Sequence, residues 1–141
     1  MNEPAPRHVL QPAAWPRPLG YSNGIVATGS TIFIAGQIGW DATTGRLADG
    51  MAAQVELALR NIVTVLAEAD ATPTDIVRMT WFVTDMEQYR ANGKAIGQGY
   101  RNVIGKHFPT MSVIGVACLV ERDALVEIEA TAVIDGAARN V

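Results

Sequence analysis

A chain of 141 residues with 49% apolar and 18% charged side chains has enough apolar material for one packed core and too much for a disordered polymer. Its formal charge of −3, without any run of Lys or Arg, offers little attraction to phosphate backbones or anionic lipid, so neither nucleic acid nor membrane is expected as a partner. No apolar run approaches the ~20 residues that cross a bilayer, the proline-rich start "MNEPAPRHVLQPAAWP" is no signal peptide, and the lone Cys118 suits a reducing cytoplasm, where the chain is expected to reside.

In chain order, residues 1–19 hold Pro4, Pro6, Pro12, Pro16 and Pro18 and are expected to form an irregular arm. The main domain is expected over 20–135, with 136–141 as a tail. "GIVATGSTIFIAGQIG" gives two β-rich runs split by "TGS", a hairpin signal. After the loop "DATTGRLADG", "MAAQVELALRNIVTVLAEAD" sets Val55, Leu59, Ile62 and Leu66 on one stripe of an amphipathic helix, with Asp49 as its expected N-cap. "DIVRMTWFVT" alternates as a strand. Asp85 and Gln88 form a capping-box pair that opens a second helix, marked by Tyr89, Ile96, Tyr100 and Val103. Gly93, Gly97 and Gly99 weaken that helix by roughly 0.5–1 kcal/mol each relative to alanine, which calls for close packing or for a backbone that lines a site. "TMSVIGVACLV" and "ALVEIEATAVI" are the last two strands, joined by the charged turn "ERD".

Two helices cover only one face of a sheet. In the final strand Val126, Ile128, Ala130 and Ala132 suit the helix side, while Leu125, Glu127, Glu129 and Thr131 form a half-polar opposite face. On so apolar a chain, that face is expected to be buried against another subunit of a homo-oligomer.

Little in the chain suits metal, nucleotide or nucleophile chemistry. His8, His107 and Cys118 share no metal-ligand spacing, and neither GxxxxGK[ST] nor a GxGxxG after a strand is present. Ser22 and Ser112 lack a nucleophile-elbow context, and Cys118 falls within an apolar run, as a small buried hydrophobe would. No metal and no cofactor are expected. The carboxylates are more informative. Glu127 and Glu129 share one face of a strand, about 6.6 Å apart. Either could be a water-positioning acid/base with a raised pKa, or an interface residue paired with Arg or hydroxyls. Tyr21 and Trp40 stand at strand ends, where pocket walls, core and interface are all open roles. Met111 enters its strand just behind His107, Phe108 and Pro109, at what reads as the mouth of a pocket.

This order of elements, with "GYSNGIVATGSTIFIAGQIGWDATTG", "AQVELALRNIVTVLAEADATPTDIVRMTWFVTDMEQY" and "GKHFPTMSVIGVACLVERDALVEIEATAV", resembles the RidA/YjgF family of imine and enamine deaminases, formerly named L-PSP endoribonucleases. The resemblance spans about residues 20 to 134. It implies an α+β fold, a single mixed β-sheet with two helices packed on one face. It further implies a homotrimer whose sheets close a central barrel, with ligands in clefts between subunits. The implied activity is hydrolysis of 2-imino or 2-enamino acids to keto acids and ammonia. Tyr21 matches the family's site tyrosine, Glu127 the glutamate that holds the attacking water, and Gly36 the backbone that approaches the ligand.

The family's carboxylate-clamping arginine, however, falls at Met111, which can neither carry charge nor donate a hydrogen bond. Ala35 stands where active members have Ser, Val113 where they have Cys, and Gly97 where they have Asn. Each change makes the site less polar or roomier. The implied function is therefore hydrolysis of a larger, more apolar imine or enamine. Glu127 and Tyr21 would be catalytic, and Gly36, Trp40, Phe108, Pro109 and Met111 would bind substrate. The alternative is a non-catalytic trimer that holds a small-molecule ligand. RNA cleavage is disfavoured by the net charge and by the absence of a His pair or a basic aromatic stripe.

Overall fold

In the computed structural model, which describes residues 7–135, ten elements follow one another. They are β1 (Arg7–Leu10), β2 (Gly24–Ala27), β3 (Ser30–Ile38), α1 (Met51–Ala67), a short 3-10 turn (Pro73–Asp75), β4 (Ile76–Val83), α2 (Met86–Ala91), α3 (Gly93–Val103), β5 (Thr110–Gly115) and β6 (Val126–Ile134). The expected stripe Val55, Leu59, Ile62 and Leu66 is wholly buried and seats α1 on β3 and β6, with α3 alongside. Val126, Ile128, Ala130 and Ala132 of β6 meet it from the sheet, so the two periodicities, 3.6 and 2, close on one core. Asp85 caps α2 by accepting the Gln88 N–H at 3.0 Å.

The main sheet has the order β3-β6-β4-β5. β6 runs antiparallel to both neighbours, and β5 lies parallel to β4. A parallel pair needs a crossover, which α2 and α3 supply. That crossover carries Tyr89 of α2 and Tyr100 of α3 onto Trp81 of β4 and leaves a cleft beside the edge strand β5, where the site forms.

Several expectations are corrected. The arm is not irregular throughout: β1 pairs with β2, Arg7 opposite Ala27 through Leu10 opposite Gly24. Arg7 fastens this ribbon to the domain, reaching the buried Asp75 carboxylate at 3.6 Å and the Val133 carbonyl at 3.3 Å. The "TGS" segment is not a hairpin turn. Gly29, at φ +151°, lets the backbone pass so near the end of β6 that a Cβ there would lie 1.8 Å from the Ile134 carbonyl oxygen. The chain thereby leaves the β1–β2 ribbon and enters the four-stranded sheet, so there are two sheets rather than one. The second helix is two helices, broken at Asn92, whose side-chain amide donates to the Gln88 carbonyl at 2.7 Å. Three helices result. Gly50, at φ +93°, takes the N-cap of α1 expected for Asp49, which stays exposed. Finally, β5 ends at Gly115, and Cys118 lies exposed in the following loop rather than buried in a strand. Residues 1–6 of the expected arm and the tail 136–141 lie outside the described residues.

Candidate active site

The segment 19–22 is stitched to the chain entering β5. Ser22 donates its hydroxyl to the Phe108 carbonyl at 2.6 Å and its N–H to the Pro109 carbonyl at 3.1 Å. Pro109 itself is buried, and Thr110 donates to the Val77 carbonyl at 2.7 Å, so the approach to β5 is held from both sides. His107 bonds the Ile76 carbonyl at 2.7 Å and is a fixed turn residue. These bonds hold Tyr21, Phe108 and Met111 around one cleft of about 490 Å³ between β5, the α2–α3 pair and residues 19–21.

Part of the cleft lining is aromatic. Trp81 and Tyr100 stack with centroids 6.3 Å apart, and Tyr100 stacks on Phe108 at 5.9 Å with planes only 10° apart. Tyr89 meets Trp81 edge-on at 6.4 Å. The Tyr100 hydroxyl donates to the His107 carbonyl at 2.6 Å, and burial pushes its pKa upward, as it does for Tyr89. Both hydroxyls stay neutral near pH 7. Trp81 is 2% exposed and its indole N–H has no acceptor among the described residues, an omission that ordinarily costs about 1–3 kcal/mol.

The helix glycines divide between the two roles open to them. Gly99 packs against α1, where a Cβ would sit 3.1 Å from a Glu56 carboxylate oxygen. Gly93 and Gly97 line the cleft; a Cβ at Gly93 would meet nothing within 4 Å, and at Gly97 only an Arg101 guanidinium nitrogen at 3.5 Å. Trp81, Tyr100 and Arg101 were not among the site residues read from sequence. The run of helix glycines was the signal that could have found this wall.

Glu127 and Gly36 stand elsewhere. β3 carries a bulge between Ile34 and Gln37, opposite Ala130 and Ile128, and Gly36 lies within it. A Cβ on Gly36 would fall 2.1 Å from Glu127 Oε1, so the glycine is what admits that side chain. Glu127 is half-buried on the face of β6 turned away from the helices, and Glu129, on the same face, is exposed. Trp40 is in neither group. It pairs with Leu47, and its carbonyl accepts from Asn61 of α1 at 2.9 Å. One chain thus brings together Tyr21, Phe108 and Met111 and, separately, Gly36 and Glu127. Tyr21 and Met111 also border a shallower hollow of about 300 Å³ that reaches round the sheet edge to Arg78 and Ser112. Among the described residues no three His, Cys, Asp or Glu side chains converge as a metal site, and no helix is long and apolar enough to cross a membrane.

The chain matches the family described as Endoribonuclease L-PSP over residues 13–134. It is 30% identical to the human 2-iminobutanoate/2-iminopropanoate deaminase, with 90% of each chain covered. A protein of the conserved Rid family from Yersinia pestis, YyfB, of unknown function, superposes with a TM-score of 0.78 at 36% identity, covering 91% of this chain and 98% of that one. Escherichia coli TdcF, solved with bound serine, superposes with a TM-score of 0.65 at 31% identity over 89% of this chain and 98% of its own.

Proposed function

Since the chain belongs to the L-PSP endoribonuclease family, the RidA/YjgF proteins, we propose that it is a hydrolytic deaminase of an imine or enamine larger and more apolar than the small 2-imino acids. One observation carries the reading: Tyr21 and Met111 frame an aromatic cleft at the sheet edge, while Glu127, held by Gly36, faces away from it on the uncovered side of the same sheet. A site that uses both groups needs a second copy of the chain to bring Glu127 to the cleft. A homotrimer closing its uncovered sheet faces into a central barrel does this three times over and buries Phe33, which is 81% exposed in one chain. The lone thiol fits a reducing cytoplasm.

In this reading the cleft takes the apolar body of the substrate, and the Tyr21 hydroxyl orients the reacting end. The neighbour's Glu127 carboxylate accepts a proton as water adds to the carbon of the C=N bond. It returns that proton to nitrogen, giving a carbinolamine; the carboxylate then carries the hydroxyl proton to the same nitrogen as the C–N bond breaks, so that ammonia leaves and a carbonyl remains. An enamine first takes a proton on carbon and gives one up from nitrogen to become the imine. No cofactor is required for these steps. Met111 explains the shift of substrate class, since a thioether gives a carboxylate neither charge nor a donor.

The test is ammonia release from 2-iminopropanoate and 2-aminoacrylate generated in solution, for wild type beside Met111→Arg. Gain of activity in the variant alone identifies a working hydrolase whose substrate class was set at that position. Activity already present in wild type would refute the account of Met111. Inactivity of both moves the second reading, a trimer that binds a metabolite without turnover, ahead of the first; the loss of the cation at position 111 is what favours it. Cleavage of RNA, carried by the family's description, is disfavoured by the net charge of −3.

A further inference from the structure

The cleft that lost a cation at position 111 has kept two others on its helical wall, Arg90 and Arg101. They differ in what they already hold. Arg90 is engaged by Glu87 one turn away. Arg101 has no carboxylate within ion-pair distance among the described residues, and its one side-chain bond is to Gln98 Oε1 at 3.2 Å. A guanidinium carries five N–H donors in a planar fork, so most of this fork is uncommitted. Its nearest helical neighbour one turn back is Gly97, and the missing side chain there leaves the guanidinium beside bare backbone at the cleft.

The rest of the cleft lining is largely apolar. Trp81, Tyr100 and Phe108 are stacked; the first two are buried, and the end of the stack, Phe108, is 40% exposed, with free area for another ring. An exposed aromatic face at the end of a stack and an uncommitted guanidinium together describe one kind of ligand.

We propose that Arg101 is the anion anchor of this cleft and that the substrate is a planar aromatic compound with its acidic group remote from the reacting C=N carbon. This deepens the deaminase reading, on which it rests for the C=N chemistry only. The family's arrangement would be inverted: the acid is gripped on the helix wall, the ring lies on the aromatic stack, and the reacting carbon faces Met111 and Tyr21.

Three stable probes separate the parts by calorimetric titration of the purified full chain. 4-Acetylbenzoate carries a ketone, as the product would, with a carboxylate across the ring. Acetophenone has the ring and ketone only, and pyruvate has a carboxylate adjacent to its ketone. Wild type is expected to bind 4-acetylbenzoate at least tenfold more tightly than either of the others. Arg101→Ala is expected to erase that preference and leave acetophenone binding within about twofold, while Arg90→Ala and Arg78→Ala keep it. Arg101 is exposed, so its loss leaves the core intact; Arg101→Lys, with charge but no fork, is expected to fall between.

Equal binding of acetophenone and 4-acetylbenzoate, or a preference that survives Arg101→Ala, overturns the proposal. So does a preference lost in Arg78→Ala instead. Arg101-dependent binding with no ammonia released from any imine leaves the anchor standing and removes the deaminase. Turnover of aromatic imines that Arg101→Ala does not slow does the reverse.

Discussion

The two faces of the four-stranded sheet are built from the same strands and obey opposite rules. On the helix face β6 presents Val126, Ile128, Ala130 and Ala132, and the first two and the last are fully buried. On the other face the same strand presents Glu127, Glu129 and Thr131, beside an almost bare Phe33 from β3 and Ile114 from β5. The covered face is finished within one chain, since α1 and α3 satisfy it. The uncovered face mixes carboxylates with large apolar groups, a composition suited to meeting copies of itself. Stability belongs to the first face, and the proposed chemistry depends on the second.

Substitutions can break that division, and the largest effect is expected on the covered face. Leu59 is fully buried under β3 and β6. Leu59→Ala removes its contacts and leaves a cavity, costing about 2–5 kcal/mol. For a domain of this size that lowers the melting temperature by on the order of 10 °C. Differential scanning calorimetry at high and low protein concentration should show the same drop, because no neighbouring copy is involved. A drop confined to dilute samples would place Leu59 in an interface and overturn the division.

Next come Glu127 and its distance from the cleft. Glu127→Gln keeps the shape and removes the base, so ammonia release is expected to fall by roughly 100-fold or more, with the far-ultraviolet circular dichroism unchanged. Tyr21→Ala is expected to be similarly poor. The sharper outcome is in the mixture. If cleft and carboxylate come from different chains, co-refolding the two variants in equal amounts restores about one site in four with both wild-type groups. Activity that never returns on mixing would place both residues in one chain's site, against the arrangement seen here.

How much of this was legible follows the same division. The α1 stripe and the alternation of β6 were readable because a buried face imposes a fixed period on the sequence, and both lie in the core as expected. Pairing was less readable. Between Pro6 and Pro12 the segment "RHVLQ" is long enough for an edge strand, yet its partner β2 also fits a hairpin with β3. Only the close approach of Gly29 to Ile134 decides between the two, and that is a contact 105 residues apart (134 − 29). The helix break at Asn92 was hidden because Tyr89, Ile96 and Tyr100 keep a helical period across it. Cys118 misled through its apolar neighbours: Val120 beside it is fully exposed, and the run "VACLV" leaves the sheet rather than extending it. Resemblance pointed to Tyr21, Met111, Gly36 and Glu127 as site residues, whereas the aromatic wall arises from Tyr100 of α3 meeting Trp81 of β4, which no local pattern announces.

A smaller effect is expected at Phe33. Burying one such side chain between copies contributes about 2 kcal/mol, so Phe33→Ser should weaken assembly by roughly 30-fold per contact while sparing the monomer core. Sedimentation velocity across a dilution series would show lighter species at concentrations where wild type stays assembled. An unchanged mass distribution in the variant would mean that the uncovered face is not where copies meet.

The smallest effect tests the aromatic wall itself. Tyr100 donates its hydroxyl to the His107 carbonyl at 2.6 Å, and Tyr100→Phe removes that bond at a cost of about 0.5–1.5 kcal/mol at neutral pH. Its pH dependence is more telling than its size. Burial holds the folded-state pKa of Tyr100 above the ordinary value near 10, so the native state keeps a proton that the unfolded chain gives up. The contribution is therefore complete below about pH 10 and declines as pH rises from there towards the folded pKa. Denaturant melts of wild type and Tyr100→Phe should run parallel from pH 6 to 9, with wild type higher, and converge above pH 10. Parallel curves throughout the alkaline range would mean that water reaches the Tyr100 hydroxyl, and the wall that stacks Trp81 and Phe108 on either side of it would then be looser than its geometry implies.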